Sequence, residues 1–222
     1  SDSGKVLAGT TLGLTVARVI NQTLGQLFSV GNSTLVGQSL DNSGGSFVTR
    51  QGNLDIRLDN ALSNIEGLIS SEGTLTVHAG SLDNTRSHLS SAGALALTIT
   101  GSLNNQAGSI ATDNALSLAS QSLDNSQGGL ISGKKATALT TGVFNNASGG
   151  SLISGDTLDL NATEVSNGTG SRIASEKALT ATVTGFDQQG GQLFSKTSLS
   201  LDLNHGQLNN RNGLINAPLL VL

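Results

Sequence analysis

A chain of 222 residues with no cysteine must draw any chemistry from its three histidines, its carboxylates and its many hydroxyls. A zinc-binding helix places two histidines four residues apart on one face, and His78, His88 and His205 have no such spacing. His78 follows Val77 and His205 lies two residues beyond Leu203, at the edge of segments that read as strand, so both are expected to face outward. Asp55 with Asp59 and Asp156 with Asp159 are the nearest candidates for the paired carboxylates of a polysaccharide-cleaving site. Neither pair recurs in the following repeat, and neither is expected to have a basic cluster in register with it. Serine is abundant, but no Gly-x-Ser-x-Gly elbow occurs to present one as a nucleophile. Gly168-Thr169-Gly170 lacks the Lys-Ser or Lys-Thr of a phosphate-binding loop and reads as a turn. Sequons such as Asn32-Ser33-Thr34 and Asn167-Gly168-Thr169 arise readily in so asparagine-rich a chain, and carry no functional reading. The expectation is a protein that is not an enzyme, with no catalytic residue, metal ligand or cofactor.

Composition narrows the class further. With 11 Lys and Arg against 15 Asp and Glu, the net charge is -4, whereas nucleic-acid binding draws on a basic stripe that displaces phosphate counterions. Lys134-Lys135 reads as a solvated turn. Only 12% of residues are charged, and the aromatics are five Phe with no Trp or Tyr. Yet 36% of the chain is apolar, which removes it from the disordered class. Folding by stacking small cores fits both facts. No apolar run is long enough to span a membrane, and Ser1-Asp2-Ser3-Gly4 lacks the basic and apolar regions of a signal peptide. Absence of cysteine suits an extracellular compartment. The apolar end Leu219-Leu220-Val221-Leu222 reads as a strand interrupted in mid-array, so residues 1–222 are expected to be a single repeat region cut from a longer filament.

The elements that would position any site come from internal repetition. An apolar anchor followed by two small polar residues recurs as Ile20-Asn21-Gln22, Leu40-Asp41-Asn42, Leu62-Ser63-Asn64 and Leu82-Asp83-Asn84, and continues to Leu208-Asn209-Asn210. Ten such anchors lie 20 to 22 residues apart, a period near 21. A second apolar position follows each: Phe28, Val48, Ile69, Leu89, Ile110, Ile131, Ile153, Ile173, Phe194 and Ile215, often with serine just after it. A third element alternates apolar and polar, as in Leu75-Thr76-Val77 and Leu116-Ser117-Leu118, the period-two signature of a half-buried strand. Each repeat therefore predicts three short strands separated by Gly, Asn and Ser turns. About 21 residues are too few for a βαβ crossover. The fold predicted is all-β, a parallel β-helix of about ten turns; with strands about 4.8 Å apart, it makes a rod of roughly 48 Å.

In such a rod each position repeats directly above its equivalent, so column chemistry governs the sequence. The second residue after each anchor is Asn or Gln throughout: Gln22, Asn42, Asn64, Asn84, Asn105, Asn125, Asn146, Asn167, Gln188 and Asn210. These predict an amide ladder along the axis, of the kind that stabilises stacked β-fibrils. At the preceding position, Asp41, Asp83, Asp124 and Asp187 never occupy adjacent repeats, as repulsion between opposed like charges requires. Glycine follows the ladder position, as at Gly45, Gly67, Gly108, Gly129, Gly150 and Gly213, where positive φ is expected. The fourth repeat departs with Thr85-Arg86-Ser87-His88, making Arg86 and His88 a candidate contact spot on an otherwise smooth corner.

The words Gly73-Thr74-Leu75-Thr76-Val77 leading to Leu82-Asp83-Asn84, and Gly101-Ser102-Leu103-Asn104-Asn105-Gln106-Ala107-Gly108-Ser109-Ile110, resemble the filamentous haemagglutinin repeats of bacterial exoproteins secreted by the two-partner pathway. The resemblance extends from about Val6 to Leu222. It implies a right-handed parallel β-helix forming the shaft of a secreted or cell-surface virulence filament, either an adhesin or a toxin-delivery filament of contact-dependent growth inhibition. It implies as partners an outer-membrane two-partner secretion transporter, engaged by parts not in this chain, and a receptor on a host or bacterial cell. The chain has no Asn-Pro-Asn-Gly secretion signature and no nonrepetitive toxin module. The segment is expected to be monomeric and to serve as a spacer, with a direct adhesive surface as the rival reading and a carbohydrate-cleaving β-helix as the third.

Overall fold

A computed structural model describes residues 3–222; Ser1 and Asp2, which begin the N-terminal stretch read above, lie outside the described residues. The described chain is entirely strand, turn and bend, with 28 strands between Lys5 and Val221. Neighbours pair in parallel at a sequence separation close to one repeat: Leu75 lies beside Leu95, which lies beside Leu116. The result is a β-solenoid of about ten turns with repeats of about 21 residues. One sheet of eleven strands contains the short strands Lys5–Ala8, Gln26–Ser29, Ser46–Thr49 and their successors to Leu214–Asn216. A second sheet of seventeen strands contains the rest. There the second and third strands of a turn are either separate, as in Leu75–Ala79 and Ser81–Asp83, or merged into nine-residue strands such as Ser33–Asp41 and Thr137–Asn145.

Alternation along each strand sends one residue inward and the next outward. One turn places Leu54, Ile56, Leu58, Leu62 and Ile69 in the core, each contributing about 1.5–3 kcal/mol on burial. Ordering costs about 1–2 kcal/mol per residue in backbone entropy alone, so a turn of this length does not hold by itself. The interfaces between turns supply the remainder, as in other solenoids.

Register also corrects the phase of several apolar positions. The inward column of the eleven-stranded sheet contains Leu27, Phe47, Leu152 and Leu193, where the sequence pattern selected Phe28, Val48, Ile153 and Phe194. In those turns both neighbours are apolar, so hydrophobicity alone does not decide the face. The outward phenylalanines are half-covered, with Arg50 6.0 Å from the Phe28 ring centre and Arg172 5.7 Å from that of Phe194. In the first turn the anchor is likewise Val19 and not Ile20, because Val19 pairs with Leu40.

The corner glycines serve a purpose different from the one expected. Positive φ falls on the residue before them in several turns, at Glu66 (54°), Ala107 (52°) and Asn212 (55°). The glycines that follow are needed for space. A Cβ on Gly67 would lie 2.4 Å from the Asn42 carbonyl oxygen, and one on Gly108 would lie 2.1 Å from that of Asn84. Gly108→Ala is therefore expected to destabilise the rod by about 1–3 kcal/mol, within the range of strain-based single substitutions. Ala107→Gly relieves a left-handed residue that costs about 1–2 kcal/mol, less the entropy glycine adds to the unfolded chain, and is expected to be neutral or stabilising. Urea midpoints of the two variants test this contrast.

Candidate functional site

The largest organised polar feature is a ladder of buried amides inside the corner that leads into the eleven-stranded sheet. Asn21 Nδ2 donates to Asn42 Oδ1 at 2.7 Å, Asn42 to Asn64 at 2.7 Å, and Asn64 to Asn84 at 2.9 Å. The chain of bonds continues through Asn105, Asn125 and Asn146 to Asn167 at 2.7 to 2.9 Å. Gln188 and Asn210 complete it with longer contacts of 3.3 and 3.2 Å, since glutamine's extra methylene displaces its amide. Every link points the same way, from one turn to the next. The same nitrogens also donate to the carbonyl opening the next strand of the eleven-stranded sheet, from Asn21 to Ser46 and from Asn125 to Ser151. Each amide thus ties the end of one turn to the start of another.

Gln22 is not a member, and Asn21 takes the position assigned to it. The first turn reaches the corner one residue earlier than its sequence suggests, so Gln22 lies on the outer side and its Nε2 donates to Asp41. The preceding column then reads Ile20, Asp41, Ser63, Asp83, Asn104, Asp124, Asn145, Ser166, Asp187 and Asn209. Its side chains cap the turn by accepting from the backbone two residues on, as Asp41 does from Ser43 and Asn104 from Gln106. Between aspartates, neutral amides donate across the gap: Asn145 to Asp124 at 3.1 Å and Asn209 to Asp187 at 3.0 Å.

The opposite end of the eleven-stranded sheet has a second internal polar column that the sequence showed only as recurrent serine. Ser29, Thr49, Ser71, Ser91, Thr112, Ser154, Ser175 and Ser195 end strands of this sheet and are buried, with Gly133 interrupting the column between Thr112 and Ser154. Several hydroxyls bond the carbonyls of the adjoining corner, as Ser91 does to Gly93 at 2.7 Å and Ser154 to Thr157 at 2.7 Å. Just outside them, opposite charges meet on consecutive turns: Asp113 with Lys134, Asp156 with Lys177, and Glu176 with Lys196. The hydrogen bond from Lys177 holds the Asp156 carboxyl below its ordinary range, so this surface contribution is complete above that range and fades as pH falls through the lowered value.

The sequence predicts no basic cluster in register with either carboxylate pair; the structure gives each pair a basic partner, Arg57 bonding Asp55 at 2.6 Å and Lys177 bonding Asp156 at 2.8 Å. Arg86 is exposed and bonds Glu66 of the preceding turn at 2.7 Å, while His88 is exposed on the eleven-stranded face. His78 is exposed on the other sheet and His205 on a turn at φ 66°. Among the described residues, no three His, Asp or Glu side chains gather as metal ligands. An open groove of about 580 Å³ crosses the first turns over Val16, Val36 and Leu58, with Arg57, Asp59 and His78 at its edges.

Removing one ladder amide separates a structural column from surface decoration. Asn125→Leu leaves the Asn105 amide hydrogen and the Asn146 oxygen unpaired, at about 1–3 kcal/mol each. A loss of about 2–6 kcal/mol is expected in equilibrium denaturation, and under about 1 kcal/mol for the part-exposed Gln22→Ala.

No curated protein and no solved structure matches the chain. The family model for the haemagglutinin repeat matches at residues 2–64, 49–107, 91–168 and 153–218, overlapping along almost its whole length. A solenoid whose corners are tied by in-register amides, and whose sequence matches that repeat four times over, belongs to the haemagglutinin repeat family.

Proposed function

We propose that this chain is a shaft segment of a large secreted bacterial surface filament that mediates adhesion or contact-dependent growth inhibition, and that its task is reach and rigidity. The supporting observation is the uninterrupted ladder from Asn21 to Asn210. A rod with nearly constant turns carries a distal group without itself undergoing chemistry. Haemagglutinin repeats are structural and adhesive, which agrees with this reading. A two-partner secretion transporter would export the filament, and a receptor on a host or bacterial cell would be met by a part beyond the shaft. The groove over Val16, Val36 and Leu58 favours the alternative of direct receptor contact.

Deleting Asn105 to Asp124 from the parent filament removes one complete turn and joins two equivalent ladder positions. The expected product is folded, shorter by about 4.8 Å, and unchanged in target-cell binding. Loss of binding with folding intact would instead place recognition in the shaft, as would target-cell binding by the isolated segment.

A further inference from the structure

Asn-x-Ser/Thr sequons occur at Asn21, Asn32, Asn146, Asn161 and Asn167, a pattern that takes an N-linked sugar where its amide is at the surface. The sequence gives none of them a role, but the structure separates them. Asn21, Asn146 and Asn167 are ladder members and are at most 1% exposed. Asn146 shows why these are closed to modification. Its nitrogen donates to the Asn167 oxygen and to the Gly150 and Arg172 carbonyls, so a sugar in place of one hydrogen would leave buried acceptors unpaired. Asn32 is exposed, but its oxygen accepts from the Asn53 backbone of the next turn at 2.9 Å, as Asn53 does from Thr74. That run accounts for Asn32.

Asn161 has no such account. It lies in the middle of the strand Leu158–Ser166, exposed on the seventeen-stranded sheet, and among the described residues its carboxamide has no hydrogen-bond partner. Asparagine is disfavoured within strands, and neither packing nor bonding explains this one. Alternation along the strand leaves Ala162 half-buried and presents Asn161 and Thr163, the two recognition groups of the sequon, together at the surface. Its column neighbours, Thr140 and Thr182, are short, which leaves room above the sheet for a pyranose ring. We infer that Asn161 is a site of N-linked glycosylation. Its Nδ2 joins the anomeric carbon of a diphosphate-activated sugar; the anomeric C–O bond breaks, the diphosphate leaves with that electron pair, and the amide proton passes to a base of the transferase. The product adds a hydrated arm to the sheet and leaves the ladder untouched. This inference does not depend on the shaft reading.

Mass spectrometry of the protein isolated from the cells that produce it tests the assignment. Trypsin cleaves after Lys135 and Arg172 and releases residues 136–172 as one peptide, which contains Asn146, Asn161 and Asn167 together. The peptide is expected to be heavier by one or more sugar residues, with backbone fragments placing the whole increment on Asn161. Thr163→Ala should abolish the modified form and Thr163→Ser should retain it, while circular dichroism of both variants stays that of the parent. Recovery of the parent peptide only at its unmodified mass overturns the proposal, as does a sugar found on Asn146 or Asn167 instead. A sugar that persists on Asn161 after Thr163→Ala overturns the sequon as its signal.

Discussion

Every side chain in this molecule lies about 4.8 Å from its counterpart in the next turn, and that constraint governs nearly all of its chemistry. A residue acceptable alone must also be acceptable above and below a near-copy of itself. Leucine and isoleucine satisfy this by burial and asparagine by donating to its own kind. Charges satisfy it only by alternation, as Asp113 with Lys134 and Glu176 with Lys196 show. The low charged fraction follows from the same rule.

The amide ladder is the strictest case. A buried carboxamide has two hydrogens and an oxygen to satisfy. Stacking gives one hydrogen to the next amide and the other to the carbonyl opening the next strand, while the oxygen accepts from the amide before. Asn84 shows the arrangement, receiving from Asn64 and giving to Asn105 and to the Ser109 carbonyl. The corner glycines belong to the same design, since a methyl group on Gly67 would collide with the Asn64 oxygen and the Asn42 carbonyl. In the fourth turn Ser87 stands at this corner and bonds Asn84 Oδ1 at 2.6 Å. Arg86 and His88 beside it remain at the surface.

Much of the fold was legible in the sequence because a period near 21 leaves few closures for segments this short, and because columns repeat their chemistry. Phase was harder. Phe28 and Leu27 are both apolar, and the face follows only from strand pairing across turns. Gln22 was misread for a related reason: Asn21 and Gln22 are adjacent amides, and only the pairing of Val19 with Leu40 tells them apart. The positive φ preceding Gly67 and Gly108 had no sequence signal, since Glu66 and Ala107 are poor left-handed residues held there by the turns around them. The serine column at the opposite corner was visible as recurrence, but its bonds to corner carbonyls are a tertiary fact.

The central claim is that in-register amides hold the turns together from within. Hydrogen exchange of side-chain amides, followed by NMR, tests it most directly. The carboxamide hydrogens of Asn105, Asn125 and Asn146 should exchange as slowly as the core backbone amides, and those of the exposed Asn114 and Asn161 at rates near those of free asparagine. Equally rapid exchange at all five positions, with the strands intact, would contradict the account.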